Sequence, residues 1–344
     1  MSSVGISSSS SSLEVSSSSS VAISSSSSRS NESSSSSSIG VSSSSSVGIS
    51  SSSSGSEESS SSSSGLPDLR VDAIYNVDSR LSALKDEEIY STQDHGTPTY
   101  VRNTNCWAYG LDLTCISPWN SSGLYTKAGV MISPRHIACA GHLPIPDGST
   151  IRFIEADGTV VTRTMDTMII HPDYAPYYPD IAIGVLDSDV PSSITFAKIL
   201  PQDWRDYVIP YLASGSEYVP WAAGPAEYSL WGIPAVYIDQ EEKILVSDAW
   251  KLYVPPESVN ATLSCTTPLD ADRALFYETI ISGDSGNPIF IIINDELVLL
   301  SVITSAGPVG TNFSYFKDDI NTMMTTLGGG YQLTEIDLSG FNPV

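Results

Sequence analysis

Basic residues are scarce in this chain. Fifteen Lys and Arg stand against 39 Asp and Glu in 344 residues, a formal net charge of −24 at pH 7. Phosphate neutralisation needs clustered cations, so no nucleic-acid partner is expected. Long apolar runs are missing as well. The most apolar stretch, residues 290–303, is split by Asp295 and Glu296 and is too short to cross a bilayer, so no membrane span is expected. Residues 1–12 lack a basic n-region and an apolar h-region, and no secretory signal is visible there. Cysteine is limited to Cys106, Cys115, Cys139 and Cys265, none at metal-type spacing. No metal and no cofactor are expected. Cys106 and Cys115 are close enough in sequence to close one small loop, and Cys139 reads as a buried thiol. The count permits two bridges without establishing an oxidising compartment. Histidine is equally sparse: His95, His136, His142 and His171.

Serine dominates the first 65 residues, broken by apolar islets such as Val4-Gly5-Ile6, Val21-Ala22-Ile23 and Val47-Gly48-Ile49. Islets of that size cannot bury a face, so residues 1–65 are expected to be a disordered tether or stalk. A phosphorylated or glycosylated tract is the other option. Glu14, Glu32, Glu57 and Glu58 face only Arg29 in the tract, so most of the acidic excess belongs to the rest of the chain. Its plain meaning is a solvated surface. Residues 66–120 form a lead segment that either wraps the core or is a removable pro-segment. A short helix is predicted over residues 81–90.

The most informative segment is Ser282-Gly283-Asp284-Ser285-Gly286-Asn287-Pro288. A serine between two glycines suits neither a helix nor a core strand. It suits a tight turn that presents one hydroxyl and aims backbone N–H groups into a small concavity, the arrangement a nucleophile with an anion hole requires. All four histidines precede Ser285. In an α/β-hydrolase the histidine follows the nucleophile, so that fold is excluded.

His142 is the best candidate base. It follows a β-like run, 129–132, and a patch of small residues, 138–141, that lets an imidazole sit close under neighbouring backbone. The alternative is a surface-loop histidine. His95 lies in a polar stretch and reads as a surface residue. Asp180 is the best candidate acid, because it opens the apolar run Ile181-Ala182-Ile183-Gly184-Val185-Leu186 and is expected to be partly buried. A buried carboxylate needs a donor, and an imidazole N–H is a suitable one. The alternative is a strand-capping aspartate. Asp173, Asp187 and Asp189 are nearby rivals that lead into no comparable stretch.

Together these segments resemble the chymotrypsin-like, trypsin-fold serine peptidases. Ala138-Cys139-Ala140-Gly141-His142 is similar to that family's histidine motif, 179–186 to its aspartate motif, and 282–288 to its nucleophile loop. His171-Pro172-Asp173-Tyr174 resembles the stretch that often precedes the family's aspartate, which implies a structural role for His171. The intervals, 38 residues from His142 to Asp180 and 105 more to Ser285, suit two barrels that share one site. The resemblance covers roughly residues 121–327.

It implies an all-β fold of two antiparallel barrels, about 121–200 and 201–330 within a domain of 121–344, closed by a short C-terminal helix over 316–327 that stops at Gly328. A hairpin is predicted from 288–293 and 297–304 around Asn294-Asp295. It also implies a serine endopeptidase acting on polypeptides. His142, Asp180 and Ser285 would be the triad, and Gly283 and Ser285 would supply the oxyanion-hole N–H groups. Thr279, six residues before the nucleophile, falls at the base of the specificity pocket, with Thr304, Ser305 and Ala306 in its wall. A neutral Thr279 points to small or apolar substrate side chains. The chain departs from the family at Asn287, where a glycine is usual, and at Leu143, where a disulfide cysteine is usual. No IVGG-type new N-terminus is visible, so Asp284 is expected to be held by a side chain or by backbone donors. An extracellular or cell-surface setting rests on the serine tract, the cysteines and the family's habits. Two other classes stand beside the enzyme: an inactive peptidase-fold module for binding or adhesion on a serine-rich stalk, and a structural protein with a fortuitous GDSG.

Overall fold

In the computed structural model the described residues are 65–82, 85–118, 129–174, 179–208, 227–228, 230, 232–253, 261–305 and 307–343. Residues 62–344 belong to one compact unit. The serine tract and Ala306 lie outside the described residues.

The chain opens with helix α1 (Leu69–Leu81), not with a helix over 81–90. Asp68 caps it by accepting from the N–H groups of Arg70 and Val71. Leu69, Ala73, Val77 and Leu81, four apart, form its buried stripe. That spacing was present in the sequence; residues 85–90, rich in charge, instead run as extended chain with isolated bridges and lead into β1.

Strands β1 (Tyr90–Asp94) and β2 (Thr99–Arg102) make a separate hairpin. A six-stranded antiparallel sheet follows: β3 (Ile116–Ser117), β4 (Gly129–Met131), β5 (His136–Cys139), β6 (Thr150–Ile154), β7 (Val160–Ile170) and β8 (Ala182–Leu186), in the order β3-β4-β5-β8-β7-β6. Its end strands β3 and β6 approach each other, so the sheet is a nearly closed barrel.

The second sheet is built from β9 (Lys198–Ile199), β10 (Glu227–Tyr228), β11 (Ile233–Ile238), β12 (Ile244–Tyr253), β13 (Thr262–Thr266), β14 (Pro288–Ile293), β15 (Glu296–Val302) and β16 (Val309–Thr311). Its order is β16-β13-β12-β11-β14-β15-β9, with β10 on β12. It curls into a half-barrel. The expectation of two barrels is met to this extent: a mostly β fold with one nearly closed barrel and one half-barrel.

The predicted hairpin is β14–β15. Asn294 and Asp295 both have left-handed φ, 51° and 61°, the pair a two-residue type I′ turn requires. β14 is buried along its whole length because both faces are covered. Phe290 and Ile292 enter the core shared with the first barrel and the lead segment. Ile289, Ile291 and Ile293 enter a second core, closed by Leu69 and Ala73 of α1 and by Ile336, Leu338 and Phe341 near the C-terminus. Short helix α2 (Ala271–Ala274) carries Arg273, whose guanidinium meets Asp78 of α1 at 2.6 Å and Asp248 of β12 at 3.2 Å. The closing helix is α3 (Lys317–Leu327), ended by Gly328 at φ +88°. Among the described residues no helix is long and apolar enough to cross a membrane.

Candidate active site

His142 stands just beyond β5, in the turn 141–142, and Asp180 stands just before β8, the strand that pairs with β5. Pairing Cys139 with Ala182 therefore carries the two flanking residues to the same end of the sheet. The His142 ring Nδ1 lies 2.6 Å from Asp180 Oδ2, and the His142 backbone N–H donates to Oδ1 at 2.7 Å. Both carboxylate oxygens thus accept from one residue, which fixes the imidazole's orientation and leaves Nε2 as its basic nitrogen. The acid is shielded and the base is open: the side chains are 3% and 34% exposed. The N–H of Asp180 donates to Thr311 Oγ1 of β16 at 3.0 Å, so the second sheet holds the acid's backbone.

The small-residue patch before His142 has a geometric reason at Gly141. A Cβ there would meet Asp180 Oδ1 at 2.9 Å and the Ile181 carbonyl oxygen at 3.1 Å. The carboxylate occupies the space a side chain would take.

Ser285 sits half-buried in the turn between Ile281 and β14. Gly283 and Gly286 have φ of +115° and +92°, which side-chain-bearing residues rarely adopt. The turn is closed by Asn287 N–H to Asp284 carbonyl, and it is fastened to the end of β15 by Gly286 N–H to Ile303 carbonyl and Ile303 N–H to Asn287 carbonyl. Asp284, 1% exposed, accepts from the N–H groups of Gln240 (3.0 Å) and Ile281 (2.7 Å). Backbone donors hold this carboxylate. The Ser285 hydroxyl makes no hydrogen bond among the described residues. The structure therefore joins His142 to Asp180 directly and joins neither to Ser285 by a hydrogen bond. Ser285 is linked to the pair through the second sheet, since Gly310, next to Thr311, packs on Ser301 and Val302 immediately before Ile303.

Thr279 is exposed and lines a cavity of about 60 Å³ with Asp239, Glu241, Glu278 and Asp284. Thr304 and Ser305 form the tight return to β16, where Thr304 N–H and Oγ1 both reach the Val309 carbonyl. Ala306 lies outside the described residues. A cavity of about 550 Å³ runs along residues 190–198 beside Asp112 and Cys115 and includes none of His142, Asp180 or Ser285. Hydrogen-bond geometry rather than cavity size marks the candidate site.

The other histidines sort as follows. His171 is buried, accepts from Asp173 N–H and packs edge-on against Phe316. His136 is fully buried with Nδ1 2.8 Å from Ser133 Oγ; burial holds its pKa below the usual histidine value, opposed by the Gly328 and Met324 carbonyls at the end of α3. His95 is not the surface residue expected. Its ring lies 2.9 Å from Tyr100 Oη and 3.3 Å from the buried Glu242 carboxylate, because β1–β2 folds against the turn between β11 and β12. None of the four cysteines forms a disulfide, Cys106 and Cys115 included, so none closes the loop. Among the described residues no cluster of His, Cys, Asp and Glu could hold a metal ion.

Sequence reasoning missed Thr311 and the turn 239–243. Thr311 carries no local signal. The turn was visible as Asp239-Gln240-Glu241-Glu242 between two apolar runs. Burial pushes Asp239 up to about 6, opposed by the N–H groups of Lys243 and Glu241 and aided by the Asp284 charge. Burial likewise pushes Asp284 up, with Glu241 and Glu278 adding to it.

What these features define is a class, a β-sheet fold with a shielded carboxylate–imidazole pair and a glycine-flanked serine turn. No family model matches this chain, and no curated protein matches it.

Two outcomes are expected. In Gly141→Ala the new methyl group displaces Asp180 from His142, and the downfield Nδ1 proton resonance of His142 is lost; an unchanged resonance would refute the close approach. For Asp239, a folded-state pKa above the unfolded value means that the native form binds the extra proton. Its contribution is present below about pH 4 and is lost as pH rises to about 6. Asp239→Asn, whose amide oxygen can accept the same two N–H groups, should be more stable than the parent at pH 7 and should flatten that part of the stability–pH curve. Denaturant titrations across the range measure it, and a less stable variant at pH 7 would contradict it.

Proposed function

We propose that the chain is a serine endopeptidase of the chymotrypsin-like type, cleaving peptide bonds through His142, Asp180 and Ser285. The observation that carries this reading is the paired hydrogen bond from His142 to the shielded Asp180, which sets the tautomer a general base needs. The mostly antiparallel sheets, the glycine-flanked turn and the backbone-held Asp284 support it.

In this mechanism Ser285 Oγ attacks the substrate carbonyl carbon while His142 Nε2 takes the hydroxyl proton. The oxyanion of the tetrahedral adduct is held by the N–H groups of Gly283 and Ser285, worth roughly 3–4 kcal/mol per donor. The adduct collapses as His142 returns the proton to the leaving amine, and water repeats the sequence on the acyl-enzyme. Asp180 stabilises the imidazolium at each stage. Thr279, Thr304 and Ser305 would border the side chain preceding the scissile bond. Such an enzyme on a serine-rich stalk suits an extracellular or cell-surface setting.

One observation favours a second reading, an inactive peptidase-fold binding module: the Ser285 hydroxyl has no hydrogen bond among the described residues. Hydrogen bonds of this kind are often long before substrate arrives and tighten only in the complex.

A fluorophosphonate probe decides between them. The enzyme reading expects Ser285 to be labelled, labelling and peptide hydrolysis to vanish in Ser285→Ala, and kcat to fall roughly 10⁴-fold in Asp180→Asn. An unlabelled parent chain, or a fully labelled Ser285→Ala, overturns it.

A further inference from the structure

We propose that residues 85–107 are a positioning strap for the nucleophile turn, with Trp107 as its fastening. The inference rests on the reading of Ser285 as nucleophile.

The turn around Ser285 is intrinsically loose. Two of its residues are glycines at positive φ, and glycine loses more conformational freedom on ordering than any other residue. Among the described residues, the Gln240 N–H donates to Asp284 from outside the segment 281–303. The placement of Ser285 therefore depends in part on the placement of Gln240.

Gln240 lies in a turn that is itself strained. Glu242 carries a side chain at φ +65°, a conformation that persists when the surroundings over-determine it. Part of that constraint is internal, from Asp239 Oδ1 to the N–H groups of Glu241 and Lys243. The rest comes from the strap. Ile89 N–H donates to the Glu242 carbonyl at 3.1 Å, Ile244 N–H donates to the Glu87 carbonyl at 2.9 Å, and Glu88 bridges Lys243. Gln93 Nε2 reaches the Glu241 carbonyl at 3.3 Å, and His95 meets the Glu242 carboxylate. Trp107 fastens both parts: its backbone N–H donates to the Asp86 carbonyl at 2.9 Å, and its indole N–H donates to the Ile244 carbonyl at 2.8 Å. It is fully buried, edge-on to Phe276. An unbroken hydrogen-bonded path thus runs from the strap through the turn 239–243 to Asp284, the residue before Ser285.

Trp107 touches no reacting atom and acts through others, so it is a positioning residue. The test uses Trp107→Phe, which removes the indole N–H and keeps an aromatic ring, and the milder Gln93→Ala at an exposed side chain. Leu113→Ala, in the same lead segment but outside the path, controls for general destabilisation. Amide hydrogen exchange is read at Gln240 and Ile281, the two donors to Asp284, against Ile183 of β8. The expected result is exchange faster by roughly five- to tenfold at Gln240 and Ile281 in Trp107→Phe, the factor one lost hydrogen bond carries. A smaller effect of the same sign is expected in Gln93→Ala, with Ile183 unmoved. In parallel, kcat on a small ester should fall with KM unchanged. Exchange that rises equally at Ile183, or as much in Leu113→Ala, would overturn the strap. If the parent chain takes no fluorophosphonate label, the enzyme reading fails, while the exchange comparison still decides whether the strap holds the turn.

Discussion

The Asp180 carboxylate is the constraint on which the rest of the site depends. It is removed from water, and a buried carboxylate persists only where donors replace its hydration. Both oxygens are satisfied by His142, through the ring and through the backbone, and the aspartate's own N–H is held by Thr311. The satisfied charge orients the imidazole. It also ties the end of the first sheet to β16 of the second. The missing Cβ at Gly141 follows from the same requirement, since the carboxylate and a methyl group cannot share that space.

The two sheets differ in how they bury their strands, and the difference positions the site. In the half-barrel, β11, β12, β14 and β15 place alternate side chains into two separate cores. One core is shared with the nearly closed barrel. The other is sealed by α1 and by the last residues of the chain, with Arg273 bridging Asp78 and Asp248 to lock the helix in place. Strands packed on both sides leave little freedom to slide, so the ends of β5, β8, β14 and β16 keep a set relation to one another. The site's groups sit at or just beyond those ends.

Against that rigid background the acidic turn 239–243 is a place where stability is given up. Asp239 and Asp284 are buried near each other, with Glu241 and Glu278 close by and Lys243 bridging the two glutamates. Local rules broken in one region, with like charges crowded and a non-glycine residue in the left-handed region, accompany function more often than chance packing does. Here they adjoin Gln240, which anchors the Ser285 turn through Asp284.

Much of this was legible beforehand, and the reason is local. The turn Asn294-Asp295 between apolar runs, the stop at Gly328, the glycines around Ser285 and the apolar stretch after Asp180 are decided by residues within a few positions of each other. Helix α1 was legible too, in the four-residue spacing from Leu69, although the predicted helix was set at 81–90. His95 was misjudged because a polar neighbourhood in sequence became a half-buried one once β1–β2 folded against Glu242. By itself the sequence determined which reactive groups exist, their order along the chain and the turns that present them. Only the tertiary structure decided which carboxylate meets which imidazole, that Thr311 holds Asp180 across 131 residues, and that Gln240 holds Asp284 across 44. Contacts at such separations arise from strand pairing and core packing, and no local preference of the chain encodes them.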